Sequence, residues 1–173
     1  MDLKQELTLV KKAQAGDKQA LGELWDAVTP KLFGYLINTL RDKTLAEDVL
    51  QATWLKAINA LPGFKAQGIS ISAWLFAIAR NECKQHWRKG EHEVPLDENL
   101  HDAAAANANQ TEQNLLIEQL LAKLSQEDRE LIRLRYISDL PINEIAKILN
   151  INFVAVRVRL HRALAKARAA ITS

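Results

Sequence analysis

The chain has 173 residues, 48% of them hydrophobic, and its 23 Lys and Arg against 21 Asp and Glu leave a net charge of only +2. This length suffices for one domain or for two small ones, each with a modest core. A single cysteine excludes an internal disulfide, and no apolar run is long enough for a signal peptide or a membrane span. We therefore expect a cytoplasmic protein with no direct membrane insertion.

Apolar residues recur at three- and four-residue spacing throughout, interrupted by only six glycines and four prolines, which predicts an all-α fold. After a charged amphipathic first helix, Asp17 is expected to cap a second helix and Pro30 to begin the next one. The sequence TLAE from Thr44 matches a capping box, so a further helix is predicted from Thr44 towards Leu61.

The outward side of that helix carries Asp48, Gln51, Ala52 and Leu55. Single surface leucines are common, so an exposed Leu55 can be incidental. It can equally form a small docking patch with its polar neighbours, and the residues alone leave both interpretations open.

Pro62-Gly63 ends this helix, and a polar loop follows as far as Ser72. The next helix is predicted from about Ala73. It presents a basic ridge of cations at every fourth position, Arg80, Lys84 and Arg88, with the amide of Asn81 beside them. Cations that hold a backbone, next to amides and aromatic rings that engage bases, are typical of a surface for single-stranded or melted DNA. The tryptophans of this region are more often core residues in a small helical domain.

Residues 91–113 differ in character, with six acids, no Lys or Arg, and the low-complexity run AAAANANQ. This composition is typical of a linker. The segment is either an ordinary solvated tether or one that occupies a positively charged channel. It divides the chain into two small helical domains, residues 1–90 and 114–173.

The C-terminal domain contains a helix-turn-helix pattern and no acidic residue after Glu144. Pro141 opens a short helix over residues 142–149, and Asn150 stands at the turn, where a positive φ favours Gly and then Asn. Asn152 is expected to cap the second helix, which is predicted to run on through residue 170.

Winding this second helix at about 100° per residue separates an apolar stripe from an outward face. The stripe predicted to be buried comprises Phe153, Val156, Leu160, Ala163, Leu164, Ala167 and Ile171. The cap, the outward face and its flanks supply the candidate contacts to duplex DNA: Asn152, Val154, Ala155, Arg157, Val158, Arg159, His161, Arg162 and Lys166. Exposed valines can meet thymine methyl groups in a major groove, while Arg162 reaches a guanine or a phosphate. A solvated basic helix without a ligand is the alternative.

Four segments in this order resemble the extracytoplasmic-function (group IV) sigma factors of bacterial RNA polymerase, in the sigma-70 superfamily. GDKQALGELWDAVTPKLFGYL is similar to the first segment of domain 2, and DKTLAEDVLQATWLKAI to the segment that docks on the polymerase clamp. ISAWLFAIARNECKQHWRK resembles the melting and −10-reading segments. LSQEDRELIRLRYISDLPINEIAKILNINFVAVRVRLHRALAKA is similar to domain 4.

The resemblance implies a promoter-specificity subunit that binds core RNA polymerase through its clamp helices and flap, recognises promoter DNA, and has no catalytic site of its own. The residues expected at the clamp are Asp48, Gln51, Ala52 and Leu55. The loop that ends at Ser72 would capture a flipped −10 base, and the basic ridge would hold the separated strand. The residues expected to contact the −10 DNA are therefore Phe64, Lys65, Ser70, Ser72, Arg80, Asn81, Lys84 and Arg88. The second helix of the helix-turn-helix would read the −35 element. The linker would run towards the RNA exit channel, and an anti-sigma protein is the expected regulator.

The sequence departs from the family pattern at several positions: Ala52 replaces a frequent Glu, Gln85 an Asp, Pro141 a capping Ser, Asn150 the turn Gly, and Ala155 a common Thr. None of these changes removes a determinant of the fold. Ala155 and Val158 remove polar groups from the DNA face, so the −35 sequence of better-known members does not carry over.

Two other classes of protein compete with this interpretation. A sigma-like mimic that sequesters an anti-sigma protein would not need the basic ridge, and a simple helix-turn-helix repressor would leave the N-terminal domain unexplained. No cofactor or metal is expected, because the four histidines are scattered without metal-ligand spacing and Cys83 has no partner.

Overall fold

The architecture is that of a computed structural model, which describes residues 3–66, 68–93 and 124–172. Within those ranges every regular element is helical and no strand occurs, which confirms the all-α prediction. The helices are α1 Leu3–Gln14, α2 Lys18–Leu40, α3 Lys43–Ala60, α4 Ile71–Glu93, α5 Gln126–Ile132, α6 Ile142–Leu149 and α7 Phe153–Thr172. A short 3-10 turn, Leu61–Gly63, follows α3, and a π-helical turn, Arg133–Ile137, follows α5.

Helix α2 is longer than the sequence predicted. Asp17 caps it as expected, since its carboxylate accepts the N–H groups of Gln19 and Ala20. The prediction that Pro30 begins a new helix is wrong, because α2 continues through it. A proline inside a helix removes one hydrogen bond and strains the preceding turn. Buried Val28 and Leu32, on either side of Pro30, pack into the core and offset that cost.

The start of α3 also differs from the prediction. Asp42, not Thr44, is the N-cap, and its carboxylate accepts the N–H of Leu45 at 3.0 Å. Asp is among the residues most favoured at an N-cap, and here it lies two residues before the predicted start. The side of α3 opposite the predicted outward residues packs in the core: Ala46, Val49, Thr53, Trp54, Ala57 and Leu61 are buried, and Leu50 packs against them half-buried.

In the C-terminal part of the chain, α6 has the predicted bounds, and Asn150 adopts the predicted left-handed conformation at φ 54°. Asn152 caps α7, because its side-chain oxygen accepts the N–H of Ala155 at 2.6 Å. The helix extends two residues past the predicted end. Helix α4 extends to Glu93, and the rest of the predicted linker, residues 94–113, lies outside the described residues.

The N-terminal half (residues 3–93) and the C-terminal half (residues 124–172) pack on each other. Helices α2 and α4 meet the π-helical turn and α6, and one apolar cluster runs through both halves, including Leu131, Leu134 and Ile145. Lys147 of α6 also reaches the loop before α4, where a Cβ on Gly68 would lie 2.9 Å from its Nζ. Gly68 has a φ of +72°, so the backbone disfavours a side chain there, whereas the flexible end of Lys147 could move away.

Candidate nucleic-acid and polymerase interfaces

Helix α7 presents two valines to solvent on the side away from its packed stripe. Val154 is 66% exposed and Val158 is 43% exposed, and Arg162 and His161 are exposed beside them. Ala155 is half-buried, since it lies at the edge of this face. Exposing large apolar side chains to water is unfavourable in free energy unless a ligand covers them. This face is therefore suited to the thymine methyl groups that line a major groove.

The inward stripe of α7 is confirmed at Val156, Leu160 and Ala163, which are buried, and Leu164 packs against the core. The prediction for Phe153 is wrong, because its side chain is 45% exposed and its ring lies 5.9 Å from the guanidinium carbon of Arg157. As the first residue of the helix, Phe153 lies beyond the turn that packs on the core. The side chain of Ile171 lies outside the described residues.

Two cations of α7 are paired within the C-terminal half. Arg159 bonds to Glu127 at 3.3 Å, and Lys166 bonds to Asp128 at 2.9 Å, both acids in the first turn of α5. Periodicity places these cations on a flank, but it does not reveal which helix that flank faces. Arg159 and Lys166 are thus paired with acids of α5 while their side chains remain 46% and 60% exposed, whereas Arg162 makes no ion pair with any described residue.

The loop between α3 and α4 carries the side chains predicted to meet a −10 base. Lys65 is exposed, and the ring of Phe64 packs half-buried on Trp74 with centroids 4.7 Å apart. Ser70 is buried, and its hydroxyl oxygen accepts the N–H of Ala73 at 3.0 Å, so it caps α4. Ser72 is half-buried in the first turn. Lys65 is therefore open to solvent, whereas the hydroxyl of Ser70 is engaged in capping α4.

The basic ridge on α4 is exposed except at its first member. Lys84, Arg88 and Asn81 lie on the surface. Arg80 is half-buried and forms a bidentate ion pair with Glu130 of α5, at 2.6 Å from its Nε and 3.2 Å from its Nη2. Within the predicted strand-binding surface, Arg80 is therefore engaged by Glu130, whereas Asn81, Lys84 and Arg88 are open to solvent.

Tyr35 of α2 adds to this contact between the halves. Its hydroxyl donates to Glu130 at 3.4 Å. Burial, and then the negative charge of Glu130, hold the pKa of Tyr35 well above its ordinary value, so the phenol keeps the proton that it donates. Fifty residues separate Arg80 from Glu130 in the chain, and no local sequence pattern indicates such a pair.

The outward face of α3 has the composition expected for a docking surface. Asp48 and Gln51 are exposed, Ala52 is half-buried, and Leu55 is 64% exposed. Ile58, which the sequence analysis did not single out, is also exposed one turn beyond Leu55. Two large apolar side chains on one exposed stripe favour a docking patch over an incidental leucine.

Sequence reasoning also missed the contacts that α1 makes with the ends of the loop before α4. Gln14 donates to the carbonyl oxygens of Leu61 and Phe64, and Glu6 accepts the N–H of Ile71. These pairs join residues 47 to 65 positions apart, so only the tertiary structure brings them together.

Among the residues that the structure describes, no group of His, Cys, Asp and Glu is placed to hold a metal ion. Cys83 is buried, and that burial raises the pKa of its thiol to about 12, so it is a poor nucleophile at neutral pH. No described helix is long and apolar enough to cross a membrane.

Comparison with known proteins connects these surfaces to a family. The model of sigma-70 region 2 matches residues 24–93, and that of sigma-70 region 4 matches residues 114–166. The ECF RNA polymerase sigma factor ShbA of Streptomyces griseus is 32% identical over 177 residues, covering 93% of this chain and 92% of ShbA. The ECF RNA polymerase sigma factor BldN of Streptomyces coelicolor is 28% identical over 171 residues, covering 91% of this chain and 62% of BldN, so the chain spans less than two thirds of that relative. The solved structure of CnrH in complex with the cytosolic domain of CnrY is similar at a TM-score of 0.75 and 26% identity, covering 97% of each chain.

The two matched regions and the exposed basic helix together define a transcription initiation factor of the sigma-70 type. Sigma factors are specificity subunits rather than catalysts. Within that class, the chain belongs to the extracytoplasmic-function sigma factors of bacterial RNA polymerase. It therefore acts by binding core polymerase and directing it to promoters.

Proposed function

We propose that this sigma factor reads its −35 element mainly through the outward face of α7. The observation that carries this assignment is the exposure of Val154 and Val158 beside Arg162, which is exposed and forms no ion pair with a described residue. Valine methyl groups suit thymine-rich steps in the major groove, and Arg162 supplies a guanine or phosphate contact. Asn152 keeps a free side-chain N–H pair for phosphate while its oxygen caps the helix. Arg157 and His161 lie beside this outward face of α7, at the edge of the major groove.

We further propose that the N-terminal half opens and holds the −10 strand. Phe64 and Lys65 lie in the base-capturing loop, Ser72 lies at the start of α4, and Asn81, Lys84 and Arg88 line the path of the strand. Arg80 joins them by exchanging Glu130 for a phosphate. DNA binding and the packed arrangement of the two halves therefore compete for one guanidinium group.

The exposed stripe of α3 is the proposed dock for the clamp helices of core polymerase, with Ile58 added to Asp48, Gln51, Ala52 and Leu55. An anti-sigma protein is the proposed regulator, because CnrH is held by the cytosolic domain of CnrY in the similar structure. The protein works without a catalytic site of its own and acts in the cytoplasm, where its polymerase and promoter are.

The experiment that tests the −35 assignment uses a promoter identified by transcribing genomic fragments with the holoenzyme. Arg162→Ala and Val158→Ala are each compared with Lys18→Ala, a cation exposed on α2. A lost base contact is worth about 1–3 kcal/mol, so we expect roughly 5- to 150-fold weaker binding to the −35 duplex, with unchanged binding to core polymerase. If Lys18→Ala weakens DNA binding as much, or if the variants lose polymerase binding equally, the assignment fails.

A further inference from the structure

Helix α1 holds both ends of the loop that precedes α4. At one end, Gln14 Nε2 donates to the carbonyl oxygen of Leu61 at 2.9 Å and to that of Phe64 at 2.8 Å. These carbonyls flank the 3-10 turn in which α3 ends. The Leu61 carbonyl also accepts the N–H of Phe64 within the turn at 3.0 Å. One amide that bonds to two carbonyls three residues apart therefore fixes the path of the chain as it leaves α3.

At the other end, Glu6 Oε1 accepts the N–H of Ile71, the first residue of α4, at 2.6 Å. Glu6 is only 7% exposed. A buried carboxylate is costly unless it is hydrogen-bonded, and the positive end of a helix is a favourable partner for it. Ser70 caps the same helix from the loop side, so the junction between loop and α4 is fixed twice.

The two contacts lie eight residues apart on α1, which is about 12 Å along a helix. A single rigid helix therefore sets the separation between the start of the loop, at Leu61, and its end, at Ile71. The loop side chains that face solvent, such as Lys65, are not touched by Glu6 or Gln14 in any of these bonds. Helix α1 also lies wholly outside the matched sigma-70 region 2, which begins at residue 24.

We infer that α1 is a brace for the −10 loop and that Glu6 and Gln14 are positioning residues for base selection, although neither contacts DNA. The inference rests on the proposed capture of a −10 base by this loop. A loop that is ordered before binding loses less entropy on capture, and it presents one shape to the four bases. Without the brace, the loop still binds a strand through its charge but discriminates less between bases.

The test measures base preference with holoenzyme formed from the full chain and core polymerase. The probe is a forked DNA whose non-template single strand carries six randomised nucleotides at the −10 position, and bound molecules are sequenced. Gln14→Glu is nearly the same size but cannot donate to either carbonyl, whereas Gln14→Lys retains a donor. Gln19→Leu, at an exposed glutamine of α2, is the matched control.

We expect Gln14→Glu to reduce the enrichment of the preferred base roughly five- to thirtyfold, the equilibrium factor of one to two ordinary hydrogen bonds. Gln14→Lys restores most of the preference, and Glu6→Gln, which keeps an acceptor oxygen, retains it, whereas Glu6→Leu loses it. Binding to core polymerase and to −35 duplex stays unchanged in all of them. If thermal melting shows that Glu6→Leu does not fold, the comparison of Gln14→Glu with Gln14→Lys alone tests the inference.

Two outcomes would overturn the inference, and they differ from each other. If Gln14→Glu lowers the melting temperature but keeps the wild-type base preference, the contacts stabilise the domain and do not position the loop. If the wild-type holoenzyme itself shows no preference among the randomised bases, or if Lys65→Ala and Phe64→Ala leave the preference intact, the proposed role of the loop is wrong and the brace has nothing to position.

Discussion

Replacing Glu130 by Gln removes one charge from the contact between the two halves while it keeps the shape of the side chain. Arg80 then remains half-buried without its counter-ion, and Tyr35 loses a charged acceptor. The ion-pair side chains are 19% and 20% exposed, which places this pair between the buried and surface classes. Breaking a buried pair costs about 3–5 kcal/mol and breaking a surface pair about 0–1 kcal/mol, so we expect Glu130→Gln to cost about 2 kcal/mol.

The placement of the tryptophans provides the assay. All four, Trp25, Trp54, Trp74 and Trp87, lie in the N-terminal half, whereas Glu130 lies in the C-terminal half. Tryptophan fluorescence during urea unfolding therefore reports on the N-terminal half alone. A substitution at Glu130 shifts that transition only if the two halves stabilise each other.

Asp139→Asn is the matched control, because Asp139 pairs with Lys31 across the same two halves but with side chains 77% and 54% exposed. It should change the unfolding free energy by less than about 0.5 kcal/mol. A double-mutant cycle with Arg80→Met isolates the coupling of Arg80 to Glu130. If the tryptophan transition of Glu130→Gln coincides with that of the wild type, the two halves are energetically independent and the predicted coupling is wrong.

Other predictions concern polymerase docking, the buried thiol and the buried carboxylate. Asp48→Lys reverses a charge on the exposed face of α3 and should abolish co-elution with core polymerase. The control Asp26→Lys, on the exposed side of α2, should co-elute normally. Normal assembly of the Asp48 variant would contradict the docking surface. Cys83 should react with iodoacetamide at pH 8 roughly a thousandfold more slowly in the native protein than in urea, because a pKa of about 12 leaves little thiolate; equal rates would contradict its burial. Burial raises the pKa of Glu6 above its ordinary value of 4.5, so the folded state holds this proton more tightly than the unfolded state. The free energy of unfolding of the wild type, relative to that of Glu6→Gln, should therefore fall as pH rises from about 4.5 through the raised pKa. Urea unfolding at several pH values measures this difference, and a difference that does not change with pH would contradict the pKa shift.

Local signals in the sequence were sufficient for the helix-turn-helix. Pro141 and Asn150 mark the two ends of α6, and each needs only its own backbone preference to do so. The outward valines of α7 followed from helical periodicity in the same way. Where the end or face of a helix depends on neighbours in the chain, as in α6 and along the outward side of α7, one sequence reveals it.

Tertiary contacts decided the features that the sequence did not predict. Pro30 stays inside α2 because side chains on both sides of it are buried, and Arg159 and Lys166 turn to acids of α5 that lie 32 and 38 residues away. The contacts of Glu130 with Arg80, and of Gln14 with the loop, join still more distant segments. Periodicity shows that a side chain lies on a given face, but not which element that face meets.

The role of this chain as a promoter-specificity subunit is tested most directly by transcription in vitro with purified bacterial core polymerase and genomic fragments as templates. We expect discrete transcripts that require this chain, and that are lost when α7 carries Arg162→Ala and Val158→Ala together. Transcripts identical to those of core polymerase alone would contradict the assignment of this chain as a promoter-specificity subunit.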